Sequence, residues 1–328
     1  MRQVVLDIDR ILERAVATPG TLTADELERL LAIDDVGAEQ ALFAAAREVR
    51  ARCGRAEILP RGLIETSNVC AKDCLYCGIR KSNAKVSRYR LTEDEVVACI
   101  DEAQRRGYPA VAFQAGEVES EANTAFYERL LGHCRGLEVT LSLGEQTEDV
   151  YRRWKAAGAL RYLIRIETSN RELYGRIHPR ECSFDRRVEC IRTLKRLGYV
   201  TGTGVMIGLP GQTLRELAND IVFFGDERMD MVGMGPYVPH PDTPLGACAQ
   251  PAAVPPATVL RLALRMIALT RLHLHAVNIV AATALEALDP AHGRERGLAA
   301  GANVIMPDIT PQDCKARYTL YPGKVQAS

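Results

Sequence analysis

Three cysteines lie close together in the segment Cys70-Ala-Lys-Asp-Cys74-Leu-Tyr-Cys77, whereas the other seven cysteines are scattered along the chain. Three thiolates within so short a segment can bind one face of a compact metal cluster, and soft sulfur ligands favour iron–sulfur clusters or zinc. A cubane cluster with three protein ligands leaves one iron open to a small molecule. We therefore expect an iron–sulfur site that also binds a cofactor or substrate.

Two other interpretations of these cysteines remain open but are weaker. Structural zinc sites usually show two pairs of Cys or Cys and His ligands, and only three ligands are found here. A thioredoxin-like redox pair made of Cys74 and Cys77 would leave Cys70 without a role, and no helix with a redox context follows it.

The composition indicates an ordinary globular protein, with 47% hydrophobic residues, 26% charged residues, and 42 basic residues against 42 acidic ones. Without a basic excess, a nucleic acid or a membrane surface is disfavoured as a partner. The N-terminus lacks the apolar core of a signal peptide, and no apolar run could span a bilayer. We therefore expect a cytoplasmic protein, in which clustered cysteines indicate metal or redox chemistry and not disulfides.

The rest of the chain must position the cysteine segment, and its hydrophobic pattern predicts an α/β fold. Residues 1–55 are predicted to form an N-terminal helical extension, with a capping box at Thr23–Glu26. From residue 56 to 328, short apolar runs alternate with amphipathic helices, two of which start at capping boxes, Thr92–Glu95 and Thr213–Glu216. The eight strand candidates are Gly62–Thr66, Ala110–Gln114, Glu138–Ser142, Tyr162–Glu167, Thr201–Ile207, Met231–Gly235, Val277–Ala282 and Asn303–Met306.

Eight strand-then-helix units predict a (βα)8 TIM-type barrel. In such barrels the chemistry lies on the loops that follow the carboxyl ends of the strands, and the three cysteines follow the first strand candidate. Arg165 and Glu167 are two residues apart at the end of the fourth candidate, so strand alternation predicts that both point into the barrel mouth. There they could bind a zwitterionic ligand, or they could pair with each other as a structural bridge.

Beyond the cysteines, long segments of this chain resemble the radical S-adenosylmethionine (SAM) superfamily. Within it, the resemblance narrows to the biotin synthase and methylornithine synthase branch, and most closely to the HydE family of [FeFe]-hydrogenase maturases. The matching segments are Ser67–Arg80, Arg88–Thr92, Thr140–Glu145, Arg161–Thr168, Met206–Thr213, Asp230–Leu245 and Gly301–Pro307.

The resemblance implies that Cys70, Cys74 and Cys77 hold a [4Fe–4S] cluster and that SAM is the second cofactor. Tyr76 would flank the SAM adenine, and Glu117 would receive its amino group. The other residues assigned to SAM by resemblance are Gly116, Ser142, Glu145, Arg165, Glu167, Arg187 and Met231. The residues assigned to the substrate are His240, Asp242, Thr283 and Asp308; for His240 and Asp242 a rigid proline-braced loop is an equally good explanation.

The implied reaction is reductive cleavage of SAM to a 5′-deoxyadenosyl radical during assembly of the [FeFe]-hydrogenase H-cluster. Its partners would be a small-molecule or organometallic substrate, an external one-electron reductant and other hydrogenase maturation proteins. The chain departs from HydE at Ile166, where that family commonly has His, and only Cys314 lies near its end, so we expect no second cluster there. These departures leave open a paralogue or a methylornithine-synthase-like enzyme acting on an amino-acid-derived substrate. A non-catalytic metal-cluster scaffold is the alternative from another class.

Overall fold

The computed structural model describes residues 2–248 and 254–324. In these ranges the strands are β1 (Leu59–Ser67), β2 (Ala110–Ala115), β3 (Glu138–Ser142), β4 (Arg161–Leu163), β5 (Val200–Thr203), β6 (Met206–Ile207), β7 (Met231–Val232), β8 (Gly235–Pro236), β9 (Asn278–Ile279) and β10 (Val304–Ile305). The helices are α1 (Arg2–Ala17), α2 (Ala24–Leu31), α3 (Val36–Arg52), α4 (Glu93–Arg105), α5 (Glu121–His133), α6 (Glu148–Ala156), α7 (Arg171–Ile177), α8 (Phe184–Arg196), α9 (Leu214–Asp226), α10 (Pro244–Cys248), α11 (Pro256–Leu274), α12 (Thr283–Leu288), α13 (Gly293–Ala299) and α14 (Gln312–Lys315).

Eight parallel strands form a nearly closed barrel in the order β10-β1-β2-β3-β4-β5-β7-β9. The two ends of this order meet where Val280 forms a parallel bridge with Val304, and the Ala281 N–H donates to the Val304 carbonyl at 2.9 Å. All eight strand candidates therefore contribute to one barrel, and the predicted (βα)8 class is confirmed. The carboxyl ends of the strands, with the loops that follow them, gather at one mouth of the barrel.

Several strand candidates differ in detail from the prediction. The fifth and sixth each continue as a second short strand, because β6 and β8 pair with each other beyond β5 and β7. Gly204 permits this close approach, since a β-carbon there would lie 1.9 Å from the Gly233 carbonyl oxygen. The fourth candidate ends earlier than predicted, at Leu163. Glu167 has a φ of 66°, a left-handed conformation that no regular strand adopts.

The three predicted capping boxes are all present. The hydroxyls of Thr23, Thr92 and Thr213 accept from the N–H three residues later, and the Glu at that position accepts from the Thr N–H. These caps begin α2, α4 and α9.

The N-terminal helices α1–α3 pack against the barrel and share its hydrophobic core. Helix α3 lies on α11 and helix α2 on α9. Arg265 donates to Glu39 at 2.7 Å, and Arg50 donates to the carbonyls of Leu298 and Ala302, both at 2.9 Å. In the described ranges, no helix combines the length and the apolar character needed to cross a membrane.

Candidate active site at the mouth of the barrel

The loop between β1 and α4 carries the three cysteines, and a single guanidinium holds its turns together. Arg88 donates to the carbonyls of Asn68 at 2.6 Å, Ile79 at 2.7 Å and Arg80 at 2.6 Å. The Asn68 side chain donates to the Ser87 carbonyl at 2.9 Å. These carbonyls converge on one cation, so the turns of the loop are held together through their backbone as well as by packing on the core.

All three cysteines line a cavity of about 310 Å³ at the barrel mouth. Other residues of its wall come from the ends of several strands: Glu65, Gly116, Glu117, Ser142, Arg165, Glu167, Thr283 and Met306. Gly116 lets the end of β2 approach the cysteine loop, since a β-carbon there would lie 2.3 Å from the Val69 carbonyl oxygen and 2.7 Å from Cys70 Cβ. The cavity thus lies where loops from distant parts of the chain converge.

A network of buried charges borders the cysteine loop. Lys72 Nζ lies 3.0 Å from Glu117 Oε1 and 3.8 Å from Glu145 Oε2. Glu117 also accepts the Glu145 N–H at 2.8 Å. Burial raises the pKa of Glu117, although Arg187 and Lys72 act in the opposite direction. A carboxylate held in this way can accept a further cation, because an added positive charge would offset its loss of solvation.

Arg187 is buried and faces the cavity, whereas its neighbour Arg186 does not line it. The Arg187 guanidinium donates to Glu145 Oε1 at 2.6 Å and to the Arg165 carbonyl at 2.5 Å. Arg186 instead donates to the Gln146 carbonyl at 2.7 Å. Arg187 therefore connects α8 to the loops after β3 and β4 and stabilises the buried Glu145 carboxylate.

Arg165 and Glu167 both lie on the cavity wall and pair with each other. Arg165 Nη2 is 2.9 Å from Glu167 Oε2 and donates to the Val205 carbonyl at 2.9 Å. The Glu167 backbone is held in its left-handed conformation by hydrogen bonds to Gly204 and from Met206. Both side chains thus line the cavity, as strand alternation predicts, although the backbone between them is irregular. Of the two predicted arrangements, the structure shows the one in which Arg165 and Glu167 pair with each other.

Tyr76 lies on the cavity wall against His178. The two rings meet edge to face with centroids 5.4 Å apart, and the Tyr76 hydroxyl is 3.3 Å from His178 Nε2. His178 Nδ1 lies 3.0 Å from the Tyr174 carbonyl, so Nδ1 carries the proton and Nε2 accepts from the tyrosine. Burial lowers the pKa of His178 to about 3, which keeps the imidazole neutral.

Similarity to known proteins agrees with this geometry. A sequence model of the radical SAM superfamily matches residues 64–224. The chain is 43% identical to the [FeFe] hydrogenase maturase subunit HydE of Thermotoga maritima, over 92% of this chain and 85% of that protein. The chain belongs to the HydE family of radical SAM enzymes.

More distant radical SAM proteins share the architecture. The chain is 26% identical to 3-methylornithine synthase of Methanosarcina barkeri, over 88% of this chain and 80% of that protein. The crystal structure of methylornithine synthase (PylB) covers 92% of this chain and 86% of its own, with a TM-score of 0.79 at 24% identity. A crystal structure of the maturase HydG covers 92% of this chain and 68% of its own, with a TM-score of 0.78 at 21% identity. At these identities the structural likeness shows a common fold.

Radical SAM enzymes use a [4Fe–4S] cluster and SAM, and the chemistry of the cysteine loop fits the cluster. Its three thiols form no disulfide. Burial raises the pKa of Cys77 to about 12 and also raises that of Cys70, so a thiolate is unfavourable there until a metal supplies positive charge. No three His, Cys, Asp or Glu side chains in the described part of this HydE-family protein are arranged to hold a single metal ion.

Five residues assigned from the sequence lie outside the cavity wall of this HydE-family chain, and one of them, Glu145, instead accepts a hydrogen bond from Arg187. Met231 begins β7, so its side chain lies in an inner layer of the barrel, where its sulfur contacts the Arg61 guanidinium at 2.8 Å. His240 packs on Gly78 behind the cysteine loop. Asp242 pairs with exposed Lys85. Asp308 Oδ2 lies 3.4 Å from the Nζ atom of Lys324, which does line the cavity.

Sequence reasoning did not single out several polar residues at this radical SAM site. Lys72 and His178 contact the predicted residues directly, and the C-terminal segment adds Tyr318, Tyr321 and Lys324 to the cavity wall. The Tyr321 and Thr283 hydroxyls are 2.6 Å apart. These C-terminal residues recur at every third position. That spacing is the feature of the sequence that could have indicated that they line the same surface.

Proposed function

We propose that this protein cleaves SAM reductively and acts in the assembly of the [FeFe]-hydrogenase cofactor. The observation that carries this proposal is the cysteine loop: it opens onto a polar barrel cavity in a chain 43% identical to HydE along most of its length. Cys70, Cys74 and Cys77 would hold a [4Fe–4S] cluster, which when reduced supplies the electron that splits SAM into methionine and a 5′-deoxyadenosyl radical.

The charged residues beside the cysteine loop are suited to bind the amino-acid end of SAM. Glu117 would accept hydrogen bonds from the SAM ammonium, because its buried carboxylate already binds the Lys72 ammonium. Arg187 lies next to this position and would act as a positioning residue, since Glu145 and the Arg165 carbonyl occupy its donors. Ser142 and Gly116 line the wall between these charges.

Other residues of the cavity wall are suited to bind the nucleoside and the substrate. Tyr76 presents a partly buried ring beside the cysteines and would pack against the adenine. Arg165 and Glu167 form a polar pair that can exchange its mutual bonds for bonds to ribose hydroxyls or to a substrate carboxylate. The closed barrel excludes water from the radical, which prevents its quenching before it reaches the substrate.

The substrate we propose is a small organometallic, cysteine-bound iron complex, supplied by other maturation proteins, with electrons from an external one-electron reductant. Contacts within the loops account for Asp242 and His240 without a substrate role, so we do not assign these two residues to the substrate. A methylornithine-synthase-like reaction would use the same SAM cleavage and differ only in the substrate.

The first test is SAM cleavage by anaerobically reconstituted protein, with iron content of about four per chain. Cys74→Ser should abolish formation of 5′-deoxyadenosine by removing one of three thiolate ligands, and Cys248→Ser, which removes an exposed cysteine outside the loop, should not. A protein that holds the cluster but does not cleave SAM would be a scaffold.

The second test separates the maturase from a carbon-skeleton enzyme. Extracts that contain all other maturation components but lack HydE should gain hydrogenase activity when this protein is added, and the Cys74→Ser variant should not support it. SAM cleavage without such rescue would contradict the maturase assignment and leave an amino-acid-derived substrate.

A further inference from the structure

A buried charge cluster forms the cavity wall where β1 meets the C-terminal segment. Glu65 is fully buried on β1, and its Oε1 contacts Lys324 Nζ. The same ammonium lies 3.4 Å from Asp308 Oδ2 and 5.0 Å from the centre of the Tyr318 ring. Glu65, Lys324 and Tyr318 all line the cavity that the three cysteines line.

This cluster contains one cation for two carboxyl groups. Glu65 Oε2 is buried and has no hydrogen-bond partner among the described residues. An ionised oxygen without a donor would be costly in such a place, so the group either holds a proton or receives a hydrogen bond from a bound donor. Burial and the charge of Asp308 raise the pKa of Glu65, and Lys324 lowers it, so that the pKa lies at about 8. At neutral pH the carboxyl group therefore holds a proton, which it can donate to Asp308, and a bound ammonium could displace that proton and donate to Glu65 in its place.

We propose that Glu65 Oε2 binds the ammonium group of an amino-acid-derived substrate. The aromatic side chains beside it favour a cation, since Tyr318 already packs against the Lys324 ammonium and Tyr321 lines the same wall. This inference rests on the proposed function and deepens it: the substrate enters the barrel as a zwitterion or an amine, with its ammonium at the β1 wall.

A purely structural role of Glu65 and Lys324 predicts different effects of their substitution. In that case Lys324 fastens the C-terminal segment to the barrel, and Glu65 when protonated donates to Asp308. Removing either partner would then loosen the segment, and neither change would discriminate between charged small molecules. If Glu65 binds an ammonium group, the two substitutions should change the affinity for amines in opposite directions. Loss of Glu65 removes the acceptor and weakens binding, whereas loss of Lys324 removes the competing cation and strengthens binding.

The experiment uses the cluster-loaded protein with SAM bound, under anaerobic conditions, and three matched probes. S-methyl-L-cysteine carries both charges, 2-(methylthio)ethylamine carries only the ammonium, and 3-(methylthio)propionate carries only the carboxylate; the thioether prevents ligation of the cluster. In calorimetric titration, both amines should bind at least about tenfold more tightly than the acid. Their binding at pH 7 should release a proton from Glu65, seen as a dependence of the enthalpy on the ionisation heat of the buffer.

Substitutions of Glu65 and Lys324 distinguish the two roles by the direction in which the amine affinity changes. Glu65→Gln should weaken both amines about ten- to a hundredfold and abolish proton release, and Lys324→Met should strengthen amine binding. Lys85→Met is the matched control, because Lys85 pairs with Asp242 outside the cavity. Equal binding of acid and amines, or amine binding unchanged in Glu65→Gln, would overturn the subsite. SAM cleavage without probe, measured on the same samples, reports separately on the proposed function.

Discussion

The three side chains of the segment Arg165-Ile166-Glu167 lie in two different environments, the cavity wall and the hydrophobic core. Arg165 and Glu167 line the cavity, whereas Ile166 is fully buried in the hydrophobic core. HydE commonly has His at the position of Ile166, and the difference therefore alters packing behind the site and not the cavity wall itself. The departure gives no reason to expect a different substrate.

Glu167→Gln should weaken SAM binding about ten- to a hundredfold, because a charge-assisted hydrogen bond is worth about 1.5–3 kcal/mol. The iron content should stay unchanged, since no cysteine is touched. Calorimetric titration of SAM beside thermal unfolding of the apoprotein measures both effects.

The control for this variant is Glu138→Gln, which removes the partner of Arg161 at 2.5 Å on β3, outside the cavity. A Glu167→Gln protein with normal SAM affinity and a lower Tm would show that the Arg165–Glu167 pair is only a structural bridge.

At the scale of elements, the loops after the strands are held by single polar side chains that bind backbone groups. Asp220 on α9 is fully buried and accepts both the N–H and the hydroxyl of Ser169 at 2.6 Å, two residues after Glu167. Arg88 plays the corresponding part in the cysteine loop. These contacts hold backbone groups of the loops in place beside the barrel.

Arg88→Ala should lower the iron content of reconstituted protein, since three carbonyls of the cysteine loop would lose their donor. We expect a loss of at least half of the cluster after desalting, and faster release of iron to a chelator. Arg90→Ala is the control, because Arg90 donates to Asn123 outside this set of carbonyls. Equal cluster retention in the two variants would show that the loop is ordered by other contacts.

Asp220 makes stability depend on pH. Burial raises its pKa to about 7, so its contribution is complete below the ordinary Asp pKa and is lost as the pH rises through about 7. Asp220→Asn keeps an acceptor for Ser169 but cannot ionise. Between pH 4 and pH 8 the free energy of unfolding of the variant should therefore gain about 2–4 kcal/mol relative to the unsubstituted protein. Urea unfolding across this range measures the difference, and a constant difference would show that Asp220 ionises normally.

At the scale of the whole molecule, barrel closure depends on a polar seam between β9 and β10. The fully buried Arg271 on α11 donates to the carbonyls of Val277 at 2.7 Å and Gly301 at 3.0 Å, and to Asn303 Oδ1 at 2.9 Å. Asn303 in turn accepts the Ile279 N–H at 2.9 Å. One guanidinium thereby connects the last two strands of the barrel.

Arg271→Lys should destabilise the protein by about 3 kcal/mol or more, because an ammonium cannot reproduce the planar fork and leaves buried carbonyls without donors. Arg105→Lys, at an exposed position of α4, is the matched control and should change stability by less than about 0.5 kcal/mol. Chemical unfolding of both variants measures this, and equal stabilities would show that the strand hydrogen bonds alone close the barrel.

The sequence by itself determined the features that depend on neighbouring residues. The cysteine spacing, the three capping boxes and the eight apolar runs each involve contacts within a few positions or on one face of an element. Together with the resemblance to radical SAM proteins, they predicted the barrel and the cofactors.

Only the tertiary structure decided which charges meet. Lys324 and Glu65 are 259 positions apart, and their contact depends on the C-terminal segment crossing the mouth of the closed barrel. The pairing of Arg165 with Glu167 depends on a left-handed residue that strand alternation does not foresee. Met231 and His240 were placed by sequence position, yet the depth of a short strand and the packing of a loop direct them elsewhere. Local patterns specify elements, whereas partners across the barrel follow from how all eight strands close.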